Sequence, residues 1–167
     1  AYAKELGIHG EVVGGKAVMF HYIGASIGSL LFGLLSERLK SRKQSLFYAT
    51  GSLGILIVAY FFMHGISSTL FYTIITLMGV SMGGLWTVFM ANASEQFGTN
   101  IRSTVTTTAP NFVRGTTELV RLSITGMKSS IGLWPAGLLI GVIVLMLSLS
   151  SILLSEETHG KELDYTE

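Results

Sequence analysis

Arg114, Glu118 and Arg121 are the side chains of this chain with the clearest capacity for chemistry. Spaced i, i+4 and i+7, they share one face of a helix. The stretch around them is otherwise uncharged and rich in threonine. An ionised group at mid-bilayer costs about 2.5–3.5 kcal/mol on insertion scales, so it persists there only with a partner or water. Two readings suit the trio. Glu118 can carry a proton while an arginine holds an anionic or polar substrate. Alternatively, Arg114 and Glu118 satisfy one another and lock helices together, with Arg121 reaching outward to the headgroups. His21 can titrate near neutral pH, or simply hydrogen-bond a neighbour. Tyr22 and Trp86 can stack on a ligand, or pack and anchor at an interface as aromatic residues in membrane helices commonly do. Asn111 lies one turn before Arg114 and adds an uncharged polar group. Together these residues form the substrate and proton-coupling candidates.

No catalytic set accompanies them. The chain has no HExxH or GxSxG motif and no carboxylate pair in a plausible cavity, so an enzyme is not expected. Gly10 to Lys16 matches the glycine and lysine spacing of a P-loop. Ala17 lacks the hydroxyl that would hold magnesium, and no strand precedes the glycines, so the match is taken as chance. Without cysteine there are no disulfides or thiolate sites; neither a metal nor a cofactor is expected. The net charge of +1 comes with no continuous basic face, which argues against nucleic acid.

The elements that must position these residues are membrane helices. Only 13% of the residues are charged, against about 25% in a soluble domain, and the mean hydropathy is +0.58. Charge-free runs cover Ala17 to Ser36, Gln44 to Met63, Ile66 to Ser94 and Ser129 to Ser155. Each is long enough to cross a bilayer, which takes roughly 20 apolar residues. The expected fold is all-α, a polytopic transmembrane bundle of about five spans at 16–37, 44–64, 67–93, 103–127 and 132–154. Residues 1–15 form an extracytoplasmic loop and 155–167 a cytoplasmic tail. The fourth span carries Pro110, a threonine run and the charged trio, so lying along the interface is its alternative. Between the first two spans, Arg38, Lys40, Arg42 and Lys43 crowd into six residues. The positive-inside rule puts that loop in the cytoplasm. Small residues recur four apart at Gly24/Gly28, Gly79/Gly83 and Gly137/Gly141, where backbones can approach closely. The second and fifth spans are the most apolar and are expected to face lipid. The first, third and fourth are expected to line an aqueous cavity.

Three segments then resemble the major facilitator superfamily. Gly33-Leu34-Leu35-Ser36-Glu37-Arg38-Leu39-Lys40-Ser41-Arg42-Lys43 is similar to its loop motif, with Glu37 for an aspartate and Lys40 where a glycine is usual. Ser94-Glu95-Gln96-Phe97-Gly98-Thr99-Asn100-Ile101-Arg102 resembles the Glu and Arg motif of the sugar-porter branch, with Gly98 for proline. Glu157-Thr158-His159-Gly160-Lys161-Glu162-Leu163-Asp164 resembles that branch's C-terminal motif, with His159 for lysine and Glu156 for the proline before it.

The resemblance implies the last five of twelve helices, the eighth to the twelfth. It also implies a cytoplasmic gate in which Arg38 and Arg42 pair with Glu95 and Glu157, with Glu37 and Arg102 completing the set. On this reading the chain is the C-terminal part of a multi-pass permease in the cell (inner or plasma) membrane. It would move a sugar, sugar acid or organic acid by alternating access, with proton symport as the coupled form. Its partners are lipid, the substrate, protons and the helices that precede Ala1. The other class is a membrane sensor or assembly module that transports nothing.

Overall fold

The computed structural model describes residues 7–162 and residue 164, and they form five α-helices. The first six residues of the expected N-terminal loop, and residues 163 and 165–167 of the expected tail, lie outside the described residues. In chain order the helices are α1 (Gly14–Leu39), α2 (Arg42–Phe62), α3 (Ser68–Glu95), α4 (Thr99–Ile131) and α5 (Leu133–Leu154). The only β geometry among the described residues is an isolated bridge between His9 and Ser67. All helices except α4 are long and apolar enough to cross a membrane, so the chain is a membrane-embedded helical protein.

Local chemistry sets the helix ends. Ser41 caps α2 by accepting from the Gln44 amide at 3.0 Å, and Ser67 caps α3 by accepting from Leu70 at 3.3 Å. The α1–α2 turn is only two residues long. Lys40 takes the left-handed conformation, φ 49° and ψ 39°. The Lys40 and Ser41 amides then donate to the Glu37 and Ser36 carbonyls, each at 3.3 Å. A lysine therefore makes the turn that glycine makes more cheaply. Gly132, with φ 88° and ψ 165°, is the single residue between α4 and α5.

α1 and α3 run in parallel and touch through their backbones. A Cβ on Gly24 would lie 2.1 Å from the Thr76 carbonyl oxygen, and one on Gly28 would lie 1.9 Å from that of Val80. The contact is reciprocal, because Gly79 and Gly83 would meet the carbonyl oxygens of His21 and Ala25 at 2.2 and 2.1 Å. The third expected pair differs. Gly137 is buried, but a Cβ on Gly141 would meet nothing within 4 Å. The α2–α5 contact instead uses Gly54, which receives the Leu145 side chain.

α2 packs on α3 and on α5. It is tied to α3 by Ser52 and Ser81, whose hydroxyls are 2.9 Å apart, and to α1 by Ser45 donating to the Phe32 carbonyl at 3.2 Å. At the end away from the α1–α2 turn, the Trp134 indole of α5 donates to the Phe61 carbonyl at 2.8 Å. Trp134 also stands edge-on to Phe61 and Phe62. In the same region the pre-α1 segment is strapped to the α2–α3 turn. His9 donates to the Ile66 carbonyl at 2.9 Å and accepts from the Ser68 amide at 3.0 Å.

α4 has 33 residues, continues through Pro110 and buries none of them. It starts where α3 stops and ends where α5 begins beside α2's C-terminus, so it runs the height of the bundle.

Candidate functional site: a latched helix end and the groove beside it

The α1–α2 turn, the C-terminus of α3 and the chain after α5 converge on Arg42. Its guanidinium donates to both Glu95 oxygens at 3.0 Å through Nε and to Oε1 at 2.7 Å through Nη2. Its Nη1 donates to the Ser36 hydroxyl at 2.9 Å and to Glu37 at 2.6 Å. The Arg42 and Glu95 side chains are each 13% exposed, whereas Glu37 is 61% exposed. The forked geometry of guanidinium on carboxylate explains why arginine suits this hub better than lysine would. Thr158, fully buried, donates its hydroxyl to Glu95 at 2.8 Å and sits 2.9 Å from the Asn92 amide oxygen.

Glu157 does something other than pair with an arginine side chain. Its carboxylate accepts from the backbone amides of Arg42 at 2.8 Å and Lys43 at 3.3 Å, and from the Ser41 hydroxyl. It also accepts from the amides of Thr158 and His159, each at 3.0 Å. The first turn of a helix leaves its amides unsatisfied and carries partial positive charge, so a carboxylate settles there readily. Lys43 completes the tie, its ammonium donating to the Leu153 and Ser155 carbonyls at the end of α5 at 2.6 and 3.1 Å. His159 places Nε2 3.4 Å from Glu37.

The remaining gate candidates fall outside this hub. Arg38 is exposed and makes no ion pair among the described residues, so the expected pairing of Arg38 with Glu95 or Glu157 is replaced by Arg42 alone with Glu95 and Glu37. Arg102 donates to the Ser94 carbonyl at 2.8 Å and to that of Phe97 at 3.2 and 3.1 Å, closing the end of α3.

Burial would raise the Glu157 pKa, but the Ser41 hydroxyl and the His159, Arg42 and Lys43 amides outweigh it and take the carboxyl from 4.5 down to about 2. A carboxyl depressed on folding stabilises the docked tail fully above about 4.5. That contribution is lost as pH falls through about 2. The absence of cysteine permits a single spin label at Glu162→Cys. The label should loosen between about pH 4.5 and about pH 2. With Glu157→Ala it should be mobile already at pH 7. Equal mobility in both proteins at pH 7 would remove Glu157 from the docking contact.

Beside the hub, a groove of about 1180 Å³ opens between α3 and α5, closed at its hub end by α2 and the tail. Trp86 and Phe89, with ring centroids 5.9 Å apart, form part of its α3 wall. Ser148 and Ser151 lie on the α5 wall, and Val113 is α4's contribution. This groove is lined differently from the cavity expected of the first, third and fourth helices, since α5 and α2 contribute and α1 does not. The fifth helix reads as lipid-facing because leucine and valine dominate it, yet its serines cluster near one end and face the groove.

The coupling candidates are dispersed. Arg114, Glu118, Arg121 and Asn111 are all exposed on α4. Glu118 pairs with Arg121, Nε to Oε2 at 2.8 Å, and Arg114 reaches the Asn111 amide oxygen at 3.4 Å. The expected Arg114–Glu118 pair does not form. Side chains on a helix lean toward its N-terminus, which carries Arg121 back to Glu118 and Arg114 back to Asn111. His21 is half-buried with its ring edge-on to the exposed Tyr22, centroids 6.0 Å apart. Of the candidate set, only Trp86 lines the groove.

Fold and site together define a membrane-embedded helical bundle whose helix ends are fastened at one end by an ion-pair and capping network. No family model, curated protein or solved structure matches the chain.

Proposed function

We propose that the chain is the C-terminal part of a major-facilitator-type permease, moving a small polar metabolite by alternating access with proton coupling. The observation that carries this reading is the Arg42 hub. Ends of α1, α2 and α3 and the segment after α5 are held there by charges and caps rather than by apolar packing. Polar fastenings of this kind can part and re-form as helices rock, because each contributes little when hydrated and much when shielded. The two conformations of such a protein need differ by only a few kcal/mol for a network of this size to set their balance.

The cluster Arg38, Lys40, Arg42 and Lys43 supports a hub on the cytoplasmic side of the cell membrane, and with it a cytoplasmic C-terminal tail. Tyr22 on α1 and Phe112 and Leu119 on α4 are 68%, 73% and 65% exposed. Helices preceding Ala1 in the whole transporter would cover these faces and bring Arg114, Glu118 and Arg121 against a central pathway.

The test is uptake by proteoliposomes carrying the product of the whole gene, offered labelled sugars, sugar acids and organic acids. An inward acid gradient should drive accumulation of at least one of them, and Glu118→Gln should blunt the pH dependence. Folded protein that accumulates none would favour the second reading, an assembly module. The glycine-to-backbone contact of α1 and α3 supports that reading, since it serves packing alone.

A further inference from the structure

We infer that the α1–α2 turn is a seat for the headgroup of an anionic phospholipid, held by Arg38 and Lys40 with its acyl chains along the exposed face of α1. This rests on the membrane-embedded bundle and not on the transporter reading.

Three observations carry it. The first is charge left over. Of the four cations at the turn, Arg42 is committed to Glu95 and Glu37, and Lys43 to the carbonyls at the end of α5. Arg38 and Lys40 are exposed and make no ion pair or side-chain hydrogen bond among the described residues. The carboxylates of the hub are already occupied. Glu37 has Arg42 and His159, Glu95 has Arg42 and Thr158, and Glu157 has its amides and Ser41. Two neighbouring cations are thus left for an anion from outside the chain.

The second is depth. As a helix, the charge-free run Ala17 to Ser36 is about 30 Å long, which matches the hydrocarbon thickness of a bilayer. Arg38 and Lys40 follow just beyond it, and the charge-free run of α2 begins at Gln44. Both cations therefore stand at the level of the lipid phosphates, where each basic side chain adds to the attraction for anionic lipid. Leu34, Leu31, Ile27 and Ile23 share the Arg38 face of α1 and are 62%, 54%, 47% and 47% exposed. Acyl chains can lie along that stripe. Tyr22, on the face left to preceding helices, is about 140° away around α1.

The third is the backbone of Lys40. Its left-handed conformation, φ 49°, suits glycine and is costly for a residue with a side chain. Nothing among the described residues uses its ammonium, so the fold gives no reason for lysine there. A headgroup phosphate gives one.

The experiment is native mass spectrometry of the product of the whole gene in detergent. It is titrated with phosphatidylglycerol and phosphatidylcholine of identical acyl chains. Other basic loops will hold lipid as well, so the readout is the difference between variants. Across the titration, the unaltered protein should retain one phosphatidylglycerol more than the double variant Arg38→Gln/Lys40→Gly, at equal counts of phosphatidylcholine. Each single variant should weaken that lipid's binding about fivefold. Lys40→Gly should also leave the unfolding midpoint in lipid-free detergent unchanged or raised, because it relaxes the turn. Lys128→Gln, in the last turn of α4 at the other end of the bundle, should change nothing. Equal retention of phosphatidylglycerol by the unaltered protein and the double variant overturns the site. A loss with Lys128→Gln as large as that with Lys40→Gly would show an effect of net charge and overturn the location. Displacement by glycerol 1-phosphate as effective as that by phosphatidylglycerol would make this a free-phosphate site and overturn the lipid. A lowered midpoint for Lys40→Gly would make the lysine a residue of the turn and overturn its part in binding. Uptake can succeed or fail without altering any of these results, so the transporter reading is decided separately.

Discussion

Gly28→Ala is expected to destabilise the bundle by about 3 kcal/mol, because a single added methyl group has nowhere to go. The new Cβ would sit 1.9 Å from the Val80 carbonyl oxygen and 2.7 Å from the Val80 Cα. Both are backbone atoms, so no rotamer change relieves the contact and the helices must separate. Separation costs more than one contact, since Gly24, Gly79 and Gly83 share the same interface. In lipid there is no hydrophobic effect to hold a loosened pair together; close dispersion contact is the main attraction. Gly83→Ala should act similarly, its Cβ meeting the Ala25 carbonyl oxygen at 2.1 Å. The double variant should cost less than the sum, because either change alone already pries the helices apart. Gly115→Ala and Gly141→Ala are the controls, with nothing within 4 Å of either Cβ. Both should be neutral or slightly stabilising through helix propensity. Unfolding midpoints in a single detergent would decide it. A Gly28→Ala midpoint indistinguishable from that of Gly115→Ala would mean that α1 and α3 are not in backbone contact.

That interface was legible in the sequence because helical geometry alone brings residues four apart onto one face. The failure of Gly137 and Gly141 marks the limit of the same signal. Spacing shows which glycines could approach a neighbour, but not whether a neighbour is there; α2 meets α5 through Gly54 and Leu145 instead. The four apolar helices were likewise legible, since charge-free runs of that length have few other uses. α4 was the weak span in the sequence, and it remains the helix that does not qualify by composition and buries nothing.

Partner choice at the hub was less accessible. Arg38 and Arg42 are equally plausible from their positions in the loop. The left-handed Lys40 decides between them, because the chain reverses there and leaves Arg38 exposed on the last turn of α1. Glu157 reads as an ion-pairing carboxylate, yet backbone amides took it. The signal was present: Ser41 with Gln44 three residues on is the pattern of a helix start, and a helix start attracts an acid. Ser36 and Thr158 carried no such signal. Small hydroxyl residues are common in membrane helices, and only the fold shows that these two are buried beside Arg42 and Glu95.

Removing the guanidinium of Arg42 should have the other large effect, and a different character. Arg42→Gln leaves Glu95, 13% exposed, with the Thr158 hydroxyl but without its forked partner. Breaking a shielded pair from one side costs about 3–5 kcal/mol, because the remaining charge stays desolvated. Solvent can reach this end of the bundle, so the lower part of that range is expected. The loss should fall on the fastened end rather than on the whole fold, since α1 and α3 are held along their length by the glycine contacts. A cysteine label at Glu162 and limited proteolysis of the tail should therefore respond strongly, while the unfolding midpoint moves less than it does for Gly28→Ala. Glu95→Gln tests the same pair from the other side. Combined with Arg42→Gln it should restore part of the loss, because two neutral amides can hydrogen-bond where one stranded carboxylate could not. If neither single variant loosens the tail, the hub holds through Glu157 and Lys43 capping alone and the Arg42–Glu95 pair is incidental; a double variant as loose as the worse single one would mean that amides cannot take over the pair's hydrogen bonds. If it recovers, the pair is the element that decides whether this end of the bundle is open or shut.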